Sequence, residues 1–137
     1  MANLKICFLF PIAPWIFGIM KTTRFGTMFD QGEILLIPVP FSNLSSVKKR
    51  PVLVLSNNAH NSSSRDIIVI AITSNLAQEG IEISNNSLID GFLPKKSIIK
   101  VDKVYTLETG IAIKKIGKIK GNVLSNVYNE FVKLISP

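Results

Sequence analysis

Short apolar runs separated by polar, turn-rich connectors dominate the chain from residue 34 onwards. The runs are rich in Ile, Val and Leu and end at turn-forming residues, which is typical of buried strands rather than helices. The predicted strands cover residues 34–37, 52–55, 67–72, 81–83, 97–101, 104–107 and 111–117. Pro38 and Pro40 should end the first strand or force it to an edge, because proline lacks the N–H that a ladder needs. Asp102 and Lys103 separate two of the later runs, which therefore form one bent strand or two. The polar connector 56–64 is predicted to be a turn-rich loop.

The last part of the chain follows a different pattern. Apolar residues recur there at spacings of three and four, which places them on one face of a helix. They are Leu124, Val127, Tyr128, Phe131, Leu134 and Ile135. Asn122 is a suitable residue near the start of this helix, after Gly121. Strand after strand followed by one terminal helix predicts a mainly β (α+β) fold, a small twisted barrel or half-barrel closed by the helix.

Residues 1–27 differ from the rest of the chain. Residues 6–20 are almost entirely apolar, but this run of 15 residues contains Pro11 and Pro14, and a helix needs about 20 apolar residues to span a bilayer. A secretory signal is the alternative, although no small-x-small cleavage site follows the apolar run. We expect Met28 to be the physiological start, with 1–27 an extension, 28–137 the folded domain and no membrane partner.

The composition limits the class of protein further. A chain of 137 residues is expected to form one domain. Its single cysteine, Cys7, allows neither an internal disulfide nor a zinc site built from thiolates, which favours a cytoplasmic protein. The net charge of +7 favours a polyanionic partner.

One stretch combines charge with strand structure. Lys48, Lys49 and Arg50 lead directly into the strand 52–55, and the strand 67–72 ends in Thr73 and Ser74. If these strands pair antiparallel, Arg50 lies near Thr73, and a guanidinium beside a hydroxyl is suited to binding phosphate. The alternative is structural, with Arg50 capping a strand and forming a salt bridge to Asp66 or Glu33.

Other catalytic arrangements find little support in the sequence. His60 is the only histidine, so one subunit cannot provide a two-histidine acid/base pair or a histidine-rich zinc site. The serines show no recognisable His-Asp partnership, and no glycine-rich phosphate loop is present. We therefore expect no metal and no cofactor.

The order of the motifs resembles the MazF/PemK family of toxin endoribonucleases. The resemblance covers about residues 30–135 and rests on a series of short segments in the family's order. They are Gly32-Glu33-Ile34, Pro40-Phe41-Ser42-Asn43-Leu44, Lys48-Lys49-Arg50-Pro51-Val52, Ala71-Ile72-Thr73-Ser74, Ser97-Ile98-Ile99-Lys100-Val101 and Lys115-Ile116-Gly117. The resemblance implies an SH3-like barrel, a homodimer, metal-independent cleavage of single-stranded RNA and neutralisation by a cognate antitoxin.

The resemblance also assigns roles to individual residues. The family's functional arginine before proline falls on Arg50, and its functional threonine at the end of the third strand falls on Thr73. Lys48, Lys49 and Ser74 would then contact RNA. Some members carry an acidic residue in the loop before the arginine, whereas residues 42–49 contain none, so no general base is assigned.

The remaining features of the sequence leave alternatives open. Phe41 and Phe92 are loop aromatics on which unstacked bases can lie. Aromatics at such positions more often fill the end of a barrel, and we expect both in the core while keeping Phe41 as a candidate RNA contact. Two further functions compete with RNA cleavage: a non-catalytic toxin of the same fold that binds DNA gyrase, and a degenerate relative that binds RNA or antitoxin without cutting.

Overall fold

The computed structural model describes residues 28–40, 47–112 and 114–137, apart from the side chains of residues 39, 40 and 47. These residues form seven β-strands, two α-helices and two short 3₁₀ turns. In chain order the elements are β1 (Glu33–Pro40), β2 (Val47–Val54), α1 (Asn58–Ser63), β3 (Asp66–Thr73), β4 (Ile81–Ile83), β5 (Leu88–Gly91), β6 (Ser97–Glu108), β7 (Lys114–Ile119) and α2 (Gly121–Ile135).

All seven strands join one antiparallel sheet in the order β4-β6-β3-β2-β1-β7-β5. The two edge strands, β4 and β5, are adjacent in the chain and are separated only by residue 84 and the 3₁₀ turn Asn85–Ser87. So short a link cannot span a flat seven-stranded sheet, and the sheet must curl until its edges approach. The result is a half-barrel with a C-terminal helix, which confirms the predicted fold.

Both faces of the central strands are buried, which explains why their sequences are continuously apolar. One core fills the concave side and includes Val127 of α2; its other members are Ile34, Leu53, Ile70, Ile72, Ile83, Leu88, Leu93, Ile99 and Ile119. A second core on the opposite face contains Leu35, Ile37, Val52, Val54, Ile67, Val69 and Leu107. Alternate residues of β1, β2 and β3 therefore enter different cores.

Strand β1 does not end at its prolines. It continues to Pro40, and its residues pair with β2 as far as Pro40 opposite Val47. Among the described residues, the last pair of β1 with β7 is Leu36 opposite Lys114, and Pro38 and Pro40 pair with β2 alone. Of the two predicted outcomes, the described residues agree with an edge position for the two prolines.

The structure corrects the predicted loop 56–64 and settles the form of the long strand. Residues Asn58–Ser63 form helix α1, whose N-cap Asn57 accepts a hydrogen bond from the backbone N–H of His60. His60 is exposed.

Strand β6 is one strand with a register shift: Ile70 pairs with Val104, but Ala71 pairs with Lys100. The three extra residues, 101–103, accommodate the polar interruption that the sequence shows.

Some predictions concern residues outside the described part. Phe41 and residues 1–27 lie outside it, so their assignments stay predictions. Among the described residues, no helix is long and apolar enough to cross a membrane.

Candidate functional site

A cleft of about 320 Å³ lies where β3 ends and β6 begins. Strand β2 supplies three of its cationic residues, and the segment that precedes β6 forms another wall and supplies the fourth. The described lining residues are Leu36, Lys48, Lys49, Arg50, Pro51, Ile72, Ser74, Leu93, Pro94, Lys95, Ser97 and Ile116. Three of the sequence-predicted contacts, Lys48, Lys49 and Ser74, are therefore in one place with Arg50.

The cleft is electropositive. Four of its described lining residues are Lys or Arg and none is acidic. Within the part of the chain that the structure describes, no ion pair involves Lys49 or Lys95. Because the described lining carries positive charge and no acid, the cleft favours an anionic ligand.

Lys115, by contrast, is held by acidic side chains. Its Nζ lies 3.2 Å from Oε2 of the buried Glu33 and 3.4 Å from Oδ2 of Asp90. The hydrogen bond and charge of Glu33 raise the pKa of Lys115 above its ordinary value, since both favour the ammonium form. Lys115 therefore ties β1, β5 and β7 together rather than adding to the charge of the cleft.

Arg50 and Thr73 both lie two residues beyond the last pair of the β2–β3 ladder. That ladder pairs Val54 with Val69 and ends with Val52 opposite Ala71, so only the same register, continued past the ladder, would place Arg50 opposite Thr73. Arg50 also lies opposite Ile37 of the second core, so its Cβ is on the sheet face that carries Thr73. Arg50 is half-buried and borders the cleft from this face.

The two hydroxyls at the end of β3 point in different directions. Ser74 lines the cleft, while Thr73 is not among the lining residues. The Thr73 hydroxyl accepts a hydrogen bond of 3.1 Å from the backbone N–H of Asn75, which leaves its own O–H as a donor. The Thr73 side chain is therefore held in a local turn at the end of β3.

The segment between β5 and β6 forms a wall of the cleft that the motifs of the sequence did not predict. Leu93 is 3% exposed and belongs to the concave core. Its neighbour Phe92 is 65% exposed, so the expectation that Phe92 fills the barrel end is wrong. Both residues are large and apolar, and hydrophobicity alone cannot tell which of two adjacent side chains turns inward. The lysine pair at 95 and 96 is the sequence signal that could have pointed to this wall.

A second and larger cleft has the opposite character. It measures about 670 Å³ and lies between α2, β4 and the shifted part of β6. Its charged lining residues are Glu79, Glu82, Asp102 and Glu130, with Lys100 as the single cation. Repulsion between these carboxylates and a phosphate makes it unsuitable for a polyanion. Among the described residues, no group of His, Cys, Asp and Glu is arranged to hold a metal ion.

Comparison with solved structures identifies the same fold in several toxins. The MazE–MazF complex from Deinococcus radiodurans matches with a TM-score of 0.63 and 19% identity, covering 79% of this chain and 96% of that chain. An endoribonuclease from a mycobacterial species matches with a TM-score of 0.59 and 14% identity, covering 77% and 89%. A mycobacterial endoribonuclease in complex with its cognate antitoxin gives 0.57 and 17%, covering 78% and 91%. Because the sequence identities are only 14–19%, the similarity to these solved structures establishes the fold of this chain alone.

The family assignment comes from sequence. A search of curated proteins found no match. The family model described as the PemK-like, MazF-like toxin of type II toxin-antitoxin systems, however, matches residues 30–135. This span contains every described residue that lines the cationic cleft. The chain belongs to the PemK-like, MazF-like family of type II toxins.

Proposed function

We propose that this protein is a toxin that cleaves single-stranded RNA without a metal ion, at the cationic cleft. The observation that carries the proposal is the charge of the cleft: four Lys or Arg residues and no acid among its described lining. A single-stranded polyanion fits such a groove because its backbone can follow the cations. Membership of the toxin family and the resemblance of the motif series to toxin endoribonucleases support the same reaction.

In the proposed reaction the ribose 2′-oxygen attacks the adjacent phosphorus. The 2′-O–P bond forms, the P–O5′ bond breaks, the 2′-hydroxyl proton departs and the 5′-oxygen gains a proton. The products are a 2′,3′-cyclic phosphate and a 5′-hydroxyl. Negative charge develops on the non-bridging oxygens in the transition state, and stabilising that charge is what the cationic cleft can contribute most directly.

Arg50 is the residue best suited to that stabilisation. A guanidinium donates two parallel hydrogen bonds to two phosphate oxygens and keeps its charge at any relevant pH. Thr73, at the end of β3, can donate its O–H to the phosphate or the 2′-oxygen while its oxygen accepts from Asn75. The described lining contains no carboxylate or imidazole, so we assign these residues to charge stabilisation and positioning rather than to proton abstraction. Lys48 and Lys49 would hold flanking phosphates.

We also infer two protein partners, a cognate antitoxin and a second copy of this chain. The structural neighbours from Deinococcus radiodurans and from mycobacteria include complexes with MazE and with a cognate antitoxin. Helix α2 exposes Tyr128, Val132 and Ile135, which are 59%, 37% and 61% exposed. Their spacing of four and three residues places them on one apolar stripe, a feature typical of a protein contact. We expect light scattering to give a dimer, and Val132→Lys to shift it towards monomer.

Cleavage is tested with the full-length protein and a long single-stranded RNA in EDTA, followed by mapping of the cut ends. We expect discrete cuts by the wild type and a loss of rate of about 100-fold or more in Arg50→Ala. Arg50→Lys keeps the charge but loses the bidentate geometry, so it should recover only part of the rate. Lys133→Ala is the matched control, because Lys133 is exposed on α2 and pairs with Glu130.

A growth-arrest assay distinguishes RNA cleavage from the two competing functions, a non-cleaving toxin and a relative that binds RNA or antitoxin without cutting. If Arg50→Ala still arrests growth when expressed, the toxic activity does not depend on the proposed phosphate contact, and a non-cleaving toxin becomes the better explanation. A folded wild-type protein that binds RNA but gives no cuts would instead indicate a degenerate relative.

A further inference from the structure

Phe92 is the most exposed of the large apolar side chains in the part of the chain that the structure describes, at 65%. It lies just after β5, in the segment that leads to Lys95 and Lys96. Exposing a phenylalanine ring to water is unfavourable compared with burying it. The concave core lies within reach, because the next residue, Leu93, is buried in it.

The backbone around Phe92 is fixed on both sides. The N–H of Phe92 donates to the carbonyl oxygen of Ile116 at 3.1 Å. The side chain of Asn85 holds Leu93 twice, accepting from its N–H at 2.7 Å and donating to its carbonyl at 3.0 Å. Gly91 has φ of +85°, which sets the turn that precedes the ring. Phe92 is therefore presented outwards by an ordered backbone.

The same segment forms a wall of the cationic cleft. Leu93, Pro94 and Lys95 line that cleft, as does Ile116, whose backbone accepts the hydrogen bond from Phe92. Lys95 is the third residue after Phe92, so their Cα atoms are at most about 11 Å apart. An exposed aromatic ring thus lies on the same short segment as Lys95, a cation that is in no ion pair with a described residue.

We propose that Phe92 is a stacking platform for one nucleobase of the bound single strand, and that Lys95 holds a phosphate next to that base. The inference rests on the proposed function and adds a specific base contact to it. Single-strand binders combine aromatic rings, which stack on bases, with cations, which hold the backbone. The four cations that line the adjoining cleft favour this occupant over an uncharged protein surface. Lys96 is paired with Glu82 and does not add to them.

The test measures binding of end-labelled oligoadenylate and oligouridylate with 2′-O-methyl sugars, which cannot be cleaved by 2′-oxygen attack. An abasic oligomer with the same number of phosphates is measured alongside. We expect Phe92→Ala to weaken binding of the base-containing oligomers by about 10-fold and to leave the abasic oligomer unchanged. Phe92→Trp should retain the affinity, since its ring also stacks. Ile89→Ala is the matched control, because Ile89 is 61% exposed but has no ring.

The outcomes distinguish this inference from the proposed function. Equal losses for base-containing and abasic oligomers would overturn base stacking, as would an unchanged affinity in Phe92→Ala or an equal loss in Ile89→Ala. If the wild type cleaves RNA while Phe92→Ala binds normally, the cleavage proposal stands and the stacking inference fails. If Phe92 is required for binding of bases but the wild type never cuts, the stacking inference stands and the cleavage proposal fails. A wild type that binds none of these oligomers contradicts both.

Discussion

At the scale of single residues, the Thr73 hydroxyl accepts a structural hydrogen bond and is proposed to donate one to the substrate. Two substitutions distinguish these roles. The Thr73 oxygen accepts the N–H of Asn75 at 3.1 Å. Thr73→Ser keeps the hydroxyl, so we expect most of the cleavage rate and stability to remain. Thr73→Val loses both uses and should cost about 0.5–1.5 kcal/mol of unfolding free energy in addition to a lower rate. Urea unfolding and cleavage assays provide the two measurements, and equal rates for both variants would remove Thr73 from the proposed mechanism.

Asp66 allows a pH test at the other end of β3. Burial raises the pKa of Asp66 above its ordinary value of 3.8, and repulsion from Glu108 adds to the effect, while Arg65 and His60 oppose it. A raised pKa means that the folded state binds the proton more tightly. The stabilising contribution is therefore present below 3.8 and is lost as pH rises through the folded-state value.

Asp66→Asn removes this titration. Relative to the wild type, we expect the variant to gain unfolding free energy at neutral pH, and we expect the gain to shrink as pH falls towards 3.8. Urea unfolding at a series of pH values measures the difference. A variant that is less stable than the wild type at neutral pH would mean that attraction to Arg65 outweighs the cost of burying the carboxylate.

At the scale of secondary structure, periodicity predicted α2 and every strand except β5, because these elements depend on which side chains enter a core. Strand β5 (Leu88–Gly91) was missed because only Leu88 of its four residues is buried. Helix α1 (Asn58–Ser63) was not predicted because its residues show no apolar periodicity. Its start depends instead on the N-cap residue Asn57. The continuation of β1 through Pro40 depends on its pairing with β2, a contact between elements that no local pattern contains. Local sequence also cannot predict that Leu93 turns inward and Phe92 outward. The backbone of Leu93 is held by hydrogen bonds from the side chain of Asn85, which lies in a different element.

The turn after β5 provides a prediction about an element. Gly91 has φ of +85°, and a Cβ there would lie 2.2 Å from the carbonyl oxygen of Ile116. Gly91→Ala should therefore destabilise the protein by about 1–3 kcal/mol and displace the wall of the cleft, lowering RNA affinity. Gly110→Ala is the control, because a Cβ at Gly110 meets nothing within 4 Å. Thermal unfolding of both variants checks the difference, and equal effects would show that the β5 turn is not specially constrained.

At the scale of the whole molecule, the distribution of charge matters more than the total of +7. One cleft gathers Lys48, Lys49, Arg50 and Lys95, whereas the larger cleft beside α2 is lined mainly by carboxylates. A polyanion attracted by the net charge is therefore directed to one of the two clefts. The family's fold accounts for the sheet and helix, but the charges in each cleft are properties of this sequence.

Salt dependence tests whether the cations of the cleft contact phosphates directly. For a single strand, the logarithm of the affinity falls with the logarithm of the salt concentration by about 0.7 for each phosphate contacted. Lys95→Gln should reduce that slope by about 0.7, because one contact is lost. Lys133→Gln removes the same charge from the exposed face of α2, where Lys133 pairs with Glu130, and should leave the slope unchanged. Binding of 2′-O-methyl oligouridylate over a range of salt concentrations measures both slopes. Equal reductions in the two variants would mean that only the net charge attracts RNA, because a contact confined to the cleft responds to Lys95 alone.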